Sequence, residues 1–466
     1  MMNSKCESSN LPTLKPPLSA KVMYLTTAAI FLECITFGCA FNLFSPLLVQ
    51  LSEKYETDIG SMSNIFVVLT LTYLCGAMLG GIMYEKLIRR QYGVVIAFSG
   101  ISLSLFVTPY CPTITYLFVS VGFLGLSCGA YDTAQTVWIM EMWQSKSGPF
   151  IQAQHFCFAL GSNLPSLLTR PFLPDSTSSD VISEANTGTD YSSSSKIPFT
   201  IVGALALMNV LYELFLLTGY PYVVPERECS DTDAHKISGN DNGNNNGNKI
   251  SLPQPDALLK TQSESDNNVG SNSRKILLVT LSGLFLGFYQ GMEMCTLQFV
   301  PTLAQFGSVN KLSGAEAALI LTGLTGAFAI GRGIGILITL KVSPQIILSF
   351  NALLVIVGNV TLLMWAYLGL STKILWCACI TLGFGFSTLY ASFCSFMERH
   401  LVFTDFVGCV MLVSGSLVGM AYPAIVGKLV EQHPEVVTYT NFCSVLLCSL
   451  AFIAAYIVTK KSTRVK

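Results

Sequence analysis

Long apolar blocks separated by polar stretches make up most of this 466-residue chain. Each block is close to the roughly 20 residues that an α-helix needs to cross a bilayer, and none shows the strict alternation of a β-strand. The pattern predicts an all-α membrane protein with twelve transmembrane helices. The predicted spans are residues 22–50, 61–84, 92–112, 114–141, 149–172, 198–220, 276–304, 313–340, 345–370, 372–399, 403–430 and 435–459.

Two polar tracts interrupt the apolar blocks. Residues 174–196 are rich in Ser and Thr, and residues 226–274 contain the run NDNGNNNGNK. The second tract has too few apolar residues to fold alone, and it separates the spans into two groups of six. We therefore predict two six-helix halves joined by a disordered linker. The predicted segments are an N-terminal tail (1–21), an N-terminal bundle (22–224), the linker (225–275), a C-terminal bundle (276–460) and a second tail (461–466).

The distribution of Lys and Arg predicts the orientation of the bundle. With both termini inside, the inner segments carry 19 of these residues and the outer loops carry 6. Basic residues concentrate on the cytoplasmic side of membrane proteins, so both termini and the linker 225–275 are expected in the cytoplasm. The polar start of the chain has no apolar core, so the first span is expected to act as the targeting element.

Composition narrows the functional classes. Hydrophobic residues make up 51% of the chain and charged residues 11%, whereas a soluble domain carries about 25% charged residues. The net charge of -1 and the lack of a basic stripe argue against a nucleic-acid partner. The sequence offers no nucleophile–base pair, metal-ligand cluster or phosphate-binding loop. It therefore argues against an enzyme and against any cofactor other than a coupling ion.

Five ionisable residues lie deep within predicted spans: Glu33, Asp132, His155, Glu293 and Arg332. A charged group at the centre of a spanning helix costs roughly 2.5–3.5 kcal/mol, so such groups usually face a cavity, an ion or a polar substrate. The alternative is that each acid is a structural group satisfied by a neighbouring helix. His155 taken alone is more typical of packing or gating than of a ligand.

Polar and aromatic side chains surround Asp132. By the i, i+3, i+4 rule, Asp132, Gln135 and Thr136 share one helix face. Amide, carboxyl and aromatic groups suit a neutral polyol, whose hydroxyls need both donors and acceptors. The same side chains could instead make interhelical hydrogen bonds, worth about 0.6 kcal/mol each in membranes. The predicted substrate-facing residues of the fourth and fifth spans are Asp132, Gln135, Thr136, Trp138, Gln152 and His155.

The loop after the second span carries a characteristic spacing. Residues 81–90 read GIMYEKLIRR and resemble the G-x-x-x-D-R-x-G-R-R signature of the major facilitator superfamily, with Ile88 in place of the second glycine. In that superfamily two six-helix halves rock around a central site. The resemblance implies that Glu85, Arg89 and Arg90 cap helix ends and pair across a cytoplasmic gate. An ordinary positive-inside loop is the alternative.

Longer runs resemble the sodium-dependent glucose transporter family, a branch of that superfamily with distant similarity to fucose–proton symporters. Residues 143–161 read WQSKSGPFIQAQHFCFALG and match the family signature between the fourth and fifth spans. Gly129, Asp132 and Thr133 match its preceding G-x-x-D-T motif, although the family usually has Asn where this chain has Thr136.

The second half extends the resemblance. Residues 289–293 (YQGME) and 328–335 (FAIGRGIG) also match the family pattern. The resemblance implies the major facilitator fold, in which spans one, four, seven and ten line a central cavity. It places Glu33, Asp132 and Glu293 on three of those four spans and adds Tyr289 to the candidate site.

We therefore interpret the chain as a secondary active transporter of a small polar solute. The resemblance implies a hexose such as glucose and sodium symport, with sodium held by Asp132 or Glu33. Proton symport and uniport remain alternatives, as does a non-transporting receptor or scaffold of the same fold. Arg332 is expected to join an ion-pair network with Asp132 or with partners from the fifth span. The protein is expected to be a plasma-membrane monomer whose partners are a sugar and the lipid bilayer.

Overall fold

The computed structural model describes residues 19–86, 89–174, 196–223, 256–307, 311–339, 341–401 and 405–463. Within these ranges the chain is helical apart from short turns and contains no strand. Twelve long helices follow one another, and the tenth is continued after a break by a shorter helix, Leu389–Glu398. The helices are α1 (Ala20–Asn42), α2 (Ile59–Lys86), α3 (Arg90–Val107), α4 (Ile114–Trp143), α5 (Gly148–Thr169), α6 (Lys196–Gly219), α7 (Asp256–Phe306), α8 (Gly314–Ile338), α9 (Pro344–Leu368), α10 (Thr372–Ser387), α11 (Asp405–Leu429) and α12 (Val436–Thr463).

The predicted all-α membrane fold with twelve transmembrane helices is confirmed. Ten of the described helices are long and apolar enough to cross a membrane, and α11 contributes a shorter apolar stretch, Val413–Leu429. Helix α5 is less hydropathic because it carries Gln152, Gln154, His155 and Asn163. It packs against α1 and α8, so much of its surface faces protein instead of lipid.

Three boundaries differ from the predicted spans. Helix α1 ends at Asn42, before residue 50, and a turn containing Pro46 leads to a separate short helix, Leu48–Lys54. Proline has no backbone N–H to donate, which explains the interruption. The tenth span is broken at Thr388. Helix α7 begins at Asp256, so the end of the tract assigned to a disordered linker is helical.

The two halves repeat the same packing scheme. In the first half α1 packs against α5, α2 against α4, and α3 against α4 and α6. In the second half α7 packs against α11, α8 against α10, and α9 against α10 and α12. Each helix of the first half therefore corresponds to the helix six places later.

The halves meet through two equivalent helix pairs, α2 with α11 and α5 with α8. We call the end where α1 begins and α12 ends the terminal face, and the opposite end the distal face. Near the distal face Ser45 Oγ donates to the carbonyl of Leu297 (2.6 Å), and the backbone N–H of Ile59 donates to Glu431 Oε1 (2.8 Å). These hydrogen bonds join the halves on the distal side.

Candidate functional site

Asp132 of α4 lies between two hydrogen-bond donors. The hydroxyl of Tyr73 on α2 donates to Oδ2 (2.5 Å), and the side-chain amide of Gln135 donates to Oδ1 (2.5 Å). Helices α2 and α4 approach this closely because of glycine: a Cβ at Gly129 would collide with the backbone oxygen of Tyr73. Both carboxylate oxygens are therefore satisfied while the side chain stays partly exposed.

The predicted neighbours of Asp132 make further contacts within the first half. Gln135 is buried, and its Oε1 accepts a hydrogen bond from the thiol of Cys34 on α1 (2.6 Å). Thr136 Oγ1 accepts from the side-chain amide of Gln154 on α5 (3.1 Å). Both residues lie beside Asp132 as predicted, but these contacts also connect α1, α4 and α5 to one another.

The second half contributes an ion pair at the interface between α5 and α8. Arg332 Nη2 lies 3.8 Å from Glu293 Oε1, and its guanidinium lies over the Phe328 ring at 4.3 Å. Arg332 Nη1 also donates to the backbone carbonyl of His155 across the interface (3.3 Å). Of the two alternatives predicted for Arg332, a contact with the fifth span is present through His155, whereas Asp132 contacts Tyr73 and Gln135; the carboxylate beside Arg332 is Glu293.

Three further polar side chains lie near this interface. Gln152 and His155 are exposed on one face of α5. Tyr390, in the continuation of α10, is also exposed and interacts electrostatically with Asp132 from the opposite half. Side chains from both halves therefore surround the region between Asp132 and Arg332, which we call the central cluster.

One further buried acid, Glu213 of α6, was not among the residues predicted from the sequence. Glu33 and Glu213 are 1% and 0% exposed, and among the described residues none of their four carboxylate oxygens has a hydrogen bond of ordinary geometry. Glu33 interacts with Glu213 and with the Tyr131 hydroxyl. Asn209 donates to Thr36 Oγ1 (2.7 Å) and sets the register of the antiparallel helices α1 and α6. One turn from that contact, Glu33 and Glu213 come to the same level and interact. The available signal was a lone Glu inside the apolar run NVLYELFLL.

Two predicted site residues are directed away from the central cluster, and a third lies at its buried edge. Glu33 points toward α6, and Trp138 is 0% exposed with its ring packed edge-on against Tyr222. Tyr289 is buried beside Glu293 and Arg332, with which it interacts, and its hydroxyl donates to the carbonyl of Phe386 on α10 (2.9 Å). Both rings are buried in this conformation, so a role of Trp138 and Tyr289 in binding substrate stays a prediction. Apolar residues on every side of these helices left no periodic signal for the direction of either ring.

Of the three predicted gate residues, Arg90 forms a contact within the first half. Arg90 makes a two-point ion pair with Glu141 of α4, through Nε (2.8 Å) and Nη2 (2.5 Å), and thereby joins α3 to α4. Arg89 precedes α3 and is exposed. The side chain of Glu85 lies outside the described residues. Pairing of Arg90 across the gate, as the resemblance implied, is thus replaced by pairing with Glu141.

The central cluster can bind a polar, uncharged molecule. Asp132 and Glu293 offer carboxylate acceptors. Hydrogen-bond donors are offered by Arg332, His155 and Tyr390, and the five side chains come from both six-helix halves. No group of three or more His, Cys, Asp or Glu side chains suited to a metal ion is found among the described residues. Polar side chains placed between two helical halves are typical of a site that binds a small molecule and changes conformation around it.

Comparison with known proteins agrees with this architecture. Residues 30–423 match the Major Facilitator Superfamily. The chain is 26% identical to human sodium-dependent glucose transporter 1 over 432 residues, which are 91% of this chain and 78% of the relative. It is 25% identical over 423 residues to the Xenopus laevis protein of the same name, covering 90% of this chain and 79% of that one.

The fold has a counterpart among solved structures. The xylose transporter XylE from E. coli, in a partially occluded inward open conformation, superposes with a TM-score of 0.66. The match covers 92% of this chain and 97% of XylE at 12% sequence identity, so it concerns the fold alone. Twelve helices in two equivalent halves, a polar cluster between them and a superfamily match over most of the sequence lead to one conclusion: this chain is a transporter of the major facilitator superfamily.

Proposed function

We propose that the protein is a sodium-coupled symporter that carries a hexose such as glucose across the plasma membrane by alternating access. The relatives named above are sodium-dependent glucose transporters, and the residues of the central cluster suit a sugar. The observation that carries the proposal is the hydrogen-bonded Asp132, held by Tyr73 and Gln135 but still partly exposed between the halves.

A sugar needs acceptors and donors on several sides at once. Asp132 has lone pairs beyond the two that Tyr73 and Gln135 occupy, so it can also accept from a sugar hydroxyl. Arg332 and Tyr390 on the opposite half supply donors. A sugar held by both halves favours their closure around it, which is the step that alternating access requires.

The coupling cation is best supported at Glu33 and Glu213. Two carboxylates in contact inside a protein cannot both remain ionised without a counter-charge, because burial and mutual repulsion both oppose the charged state. In the described part of the chain their oxygens accept no hydrogen bond of ordinary geometry, whereas both oxygens of Asp132 do. A cation bound between them would remove the repulsion. Of the two acids assigned to sodium from the sequence, Glu33 is therefore the better supported.

A proton is the second candidate for the coupled ion. Sodium prefers several oxygen ligands, whereas a single proton shared between Glu33 and Glu213 would neutralise the pair without further ligands. The observation that favours this alternative is the direct interaction of Glu33 with Glu213, because one proton can lie between two carboxylates in contact.

Uptake into vesicles containing the purified protein tests the proposal. Labelled glucose should accumulate when an inward sodium gradient is imposed, and replacing sodium with choline at constant pH should stop accumulation. Uptake that ignores sodium but follows a pH gradient would identify a proton symporter. Uptake that follows neither gradient would indicate a uniporter. Binding of glucose without uptake of any labelled sugar, urea or organic acid would indicate a receptor.

We also propose that both chain termini and the linker 225–275 are cytoplasmic. The excess of Lys and Arg on those segments supports this orientation. A peptide tag inserted after Gly243 should bind antibody only after cells are permeabilised, and a tag within 174–196 should bind antibody on intact cells. The reverse pattern would contradict the orientation.

A further inference from the structure

A cleft with a volume of 210 Å³ opens in the second half, on the side of the terminal face. Its walls are α9 and α12, and its floor is formed by Phe285, Tyr289 and Met292 of α7. Almost all of the lining is hydrocarbon. Asp132, Glu293 and Arg332 do not line the cleft, but Tyr289 on its floor interacts with Glu293 and Arg332, so the cleft adjoins the central cluster through this one side chain.

The cleft exists because hydrogen bonds join α9 and α12 along only part of their length in the described structure. Toward the distal face, Asn359 donates to the carbonyl of Thr438 (3.0 Å), and Asn441 donates to Asn359 Oδ1 (3.3 Å). The hydroxyls of Tyr367 and Tyr439 are also hydrogen-bonded there. Toward the terminal face the walls carry small residues, including Ser349, Ala352, Cys448 and Ser449, and the helices leave a gap.

The mouth of the cleft opens onto a lipid-facing surface. Ile346 and Leu353 on α9, and Leu450 and Ile453 on α12, are more than half exposed. In a membrane such a surface meets hydrocarbon chains. Protein interiors are close-packed, so an apolar gap that is continuous with lipid is expected to take up a lipid chain.

Basic residues stand at the terminal end of both walls. Lys341 precedes α9 and Lys460 lies near the end of α12, and both are exposed. A helix rise of 1.5 Å per residue places Lys460 about 10 Å beyond Ile453, near the depth of lipid headgroups. The stretches 339–349 and 453–466 contain no Asp or Glu. Basic side chains at this level attract anionic lipid headgroups.

We propose that this cleft is a binding site for an anionic phospholipid of the leaflet at the terminal face. One acyl chain fills the cleft against Phe285 and Met292, and the headgroup pairs with Lys341 and Lys460. Because the floor belongs to α7, the bound lipid supports the helix that carries Glu293. Removal of the lipid is therefore expected to destabilise the second half before it affects the first.

Native mass spectrometry and thermal melting of the purified protein test this site. The probes are phosphatidylserine and phosphatidylcholine with identical acyl chains. The wild-type protein should retain one phosphatidylserine per chain and melt at a higher temperature with it than with phosphatidylcholine. Equal retention and equal melting with the two lipids would overturn the headgroup assignment. Only loosely retained lipid, with no fixed stoichiometry, would overturn the site.

Matched variants separate chain binding from headgroup binding. Ser449→Trp and, on the opposite wall, Ala352→Leu fill the cleft and should each abolish retention of the single lipid. Leu446 faces lipid outside the cleft, and its side chain is 59% exposed. Leu446→Trp should therefore leave retention of the single lipid unchanged. Lys341→Ala with Lys460→Ala should keep one lipid bound but remove the preference for phosphatidylserine. If both cleft-filling variants retain lipid as the wild type does, the proposal is wrong. The two substitutions lie on different helices, so misfolding of one variant does not leave the test without a result.

Discussion

Tyr73 donates a 2.5 Å hydrogen bond from α2 to Asp132 on α4, and α2 is also one of the helices that contact the second half. A carboxylate at the central cluster is thereby connected, through one side chain, to the α2–α11 interface. Any ligand that draws Asp132 toward itself also pulls on a helix at that interface. The relationship makes Tyr73 the first place to test whether sugar binding and movement of the halves are coupled.

Tyr73→Phe removes this donor and leaves the ring in place. We expect the variant to fold, because the ring still packs against Phe41 (5.6 Å between centroids). A hydrogen bond to a charged group is worth about 1.5–3 kcal/mol, so the apparent affinity for sugar should fall about 10- to 100-fold. Initial rates of uptake at varied glucose concentration measure this. Tyr110→Phe, at an exposed tyrosine near the distal face, is the matched control. Unchanged affinity in Tyr73→Phe would show that Asp132 needs no help from α2.

Glu33→Gln and Glu213→Gln each remove one charge from the buried pair. Both variants should lose accumulation of glucose against a gradient but retain exchange of labelled for unlabelled glucose, since the central cluster is intact. Asp132→Asn should instead lose both activities, because it weakens the acceptor for sugar. Vesicle counterflow beside gradient-driven uptake distinguishes the two patterns. Full accumulation by both glutamine variants would remove the pair from the coupling mechanism.

Arg332→Met leaves Glu293 buried without its cationic partner. Removing one partner of a well-formed buried ion pair lowers the free energy of unfolding by about 3–5 kcal/mol. Because Arg332 and Glu293 are separated by 3.8 Å, we expect a loss near the lower end of that range or below it. We expect a lower melting temperature in detergent and less protein at the cell surface. The double variant Arg332→Met with Glu293→Gln should recover part of the loss. If the two single losses simply add, the residues do not interact.

Glu431 accepts a hydrogen bond from the first N–H of α2 and so binds the halves together near the distal face. The N-terminus of α2 favours a negative charge. Glu431→Gln removes that charge, so it weakens the contact even if the amide oxygen still accepts the hydrogen bond. The variant should spend more time with the distal side open. Distances between spin labels on the two halves near the distal face should lengthen. Glu53→Gln, at an exposed acid on the same face, controls for loss of charge, and equal behaviour of both variants would exclude Glu431 as a latch.

Asp58 precedes α2 and accepts hydrogen bonds from the backbone N–H (2.8 Å) and hydroxyl (2.7 Å) of Ser61. These bonds lower the pKa of Asp58 below its ordinary value of 3.8. A lowered pKa means that the ionised form stabilises the fold. This contribution is complete above the ordinary pKa and is lost as the pH falls through the lowered one. Asp58→Asn keeps a hydrogen-bond acceptor but cannot titrate. Between about pH 5 and about pH 3, the melting temperature of this variant should therefore fall less than that of the wild type. Parallel curves would show that Asp58 contributes nothing to this pH dependence.

The sequence by itself determined the membrane class, the two polar tracts and the position of nearly every span. Those properties depend on the mean hydropathy of about 20 consecutive residues, which is local information. It also placed Asp132 beside Gln135, because helix periodicity brings residues three apart onto one face. Pro46 alone did not reveal the interruption after α1, because Pro165, Pro301 and Pro423 lie inside continuous helices.

Only the tertiary structure decided which polar groups meet. Glu33 and Glu213 lie on different helices far apart in the sequence, and the register between those helices is set by Asn209 and Thr36. The pairing of Arg332 with Glu293 depends likewise on the packing of α7 and α8. Lipid chains are as apolar as leucine side chains, so a membrane helix can be apolar on its buried and its lipid-facing sides alike. Hydropathy therefore gives the depth of a residue in the membrane, and only helix packing gives the direction in which its side chain points.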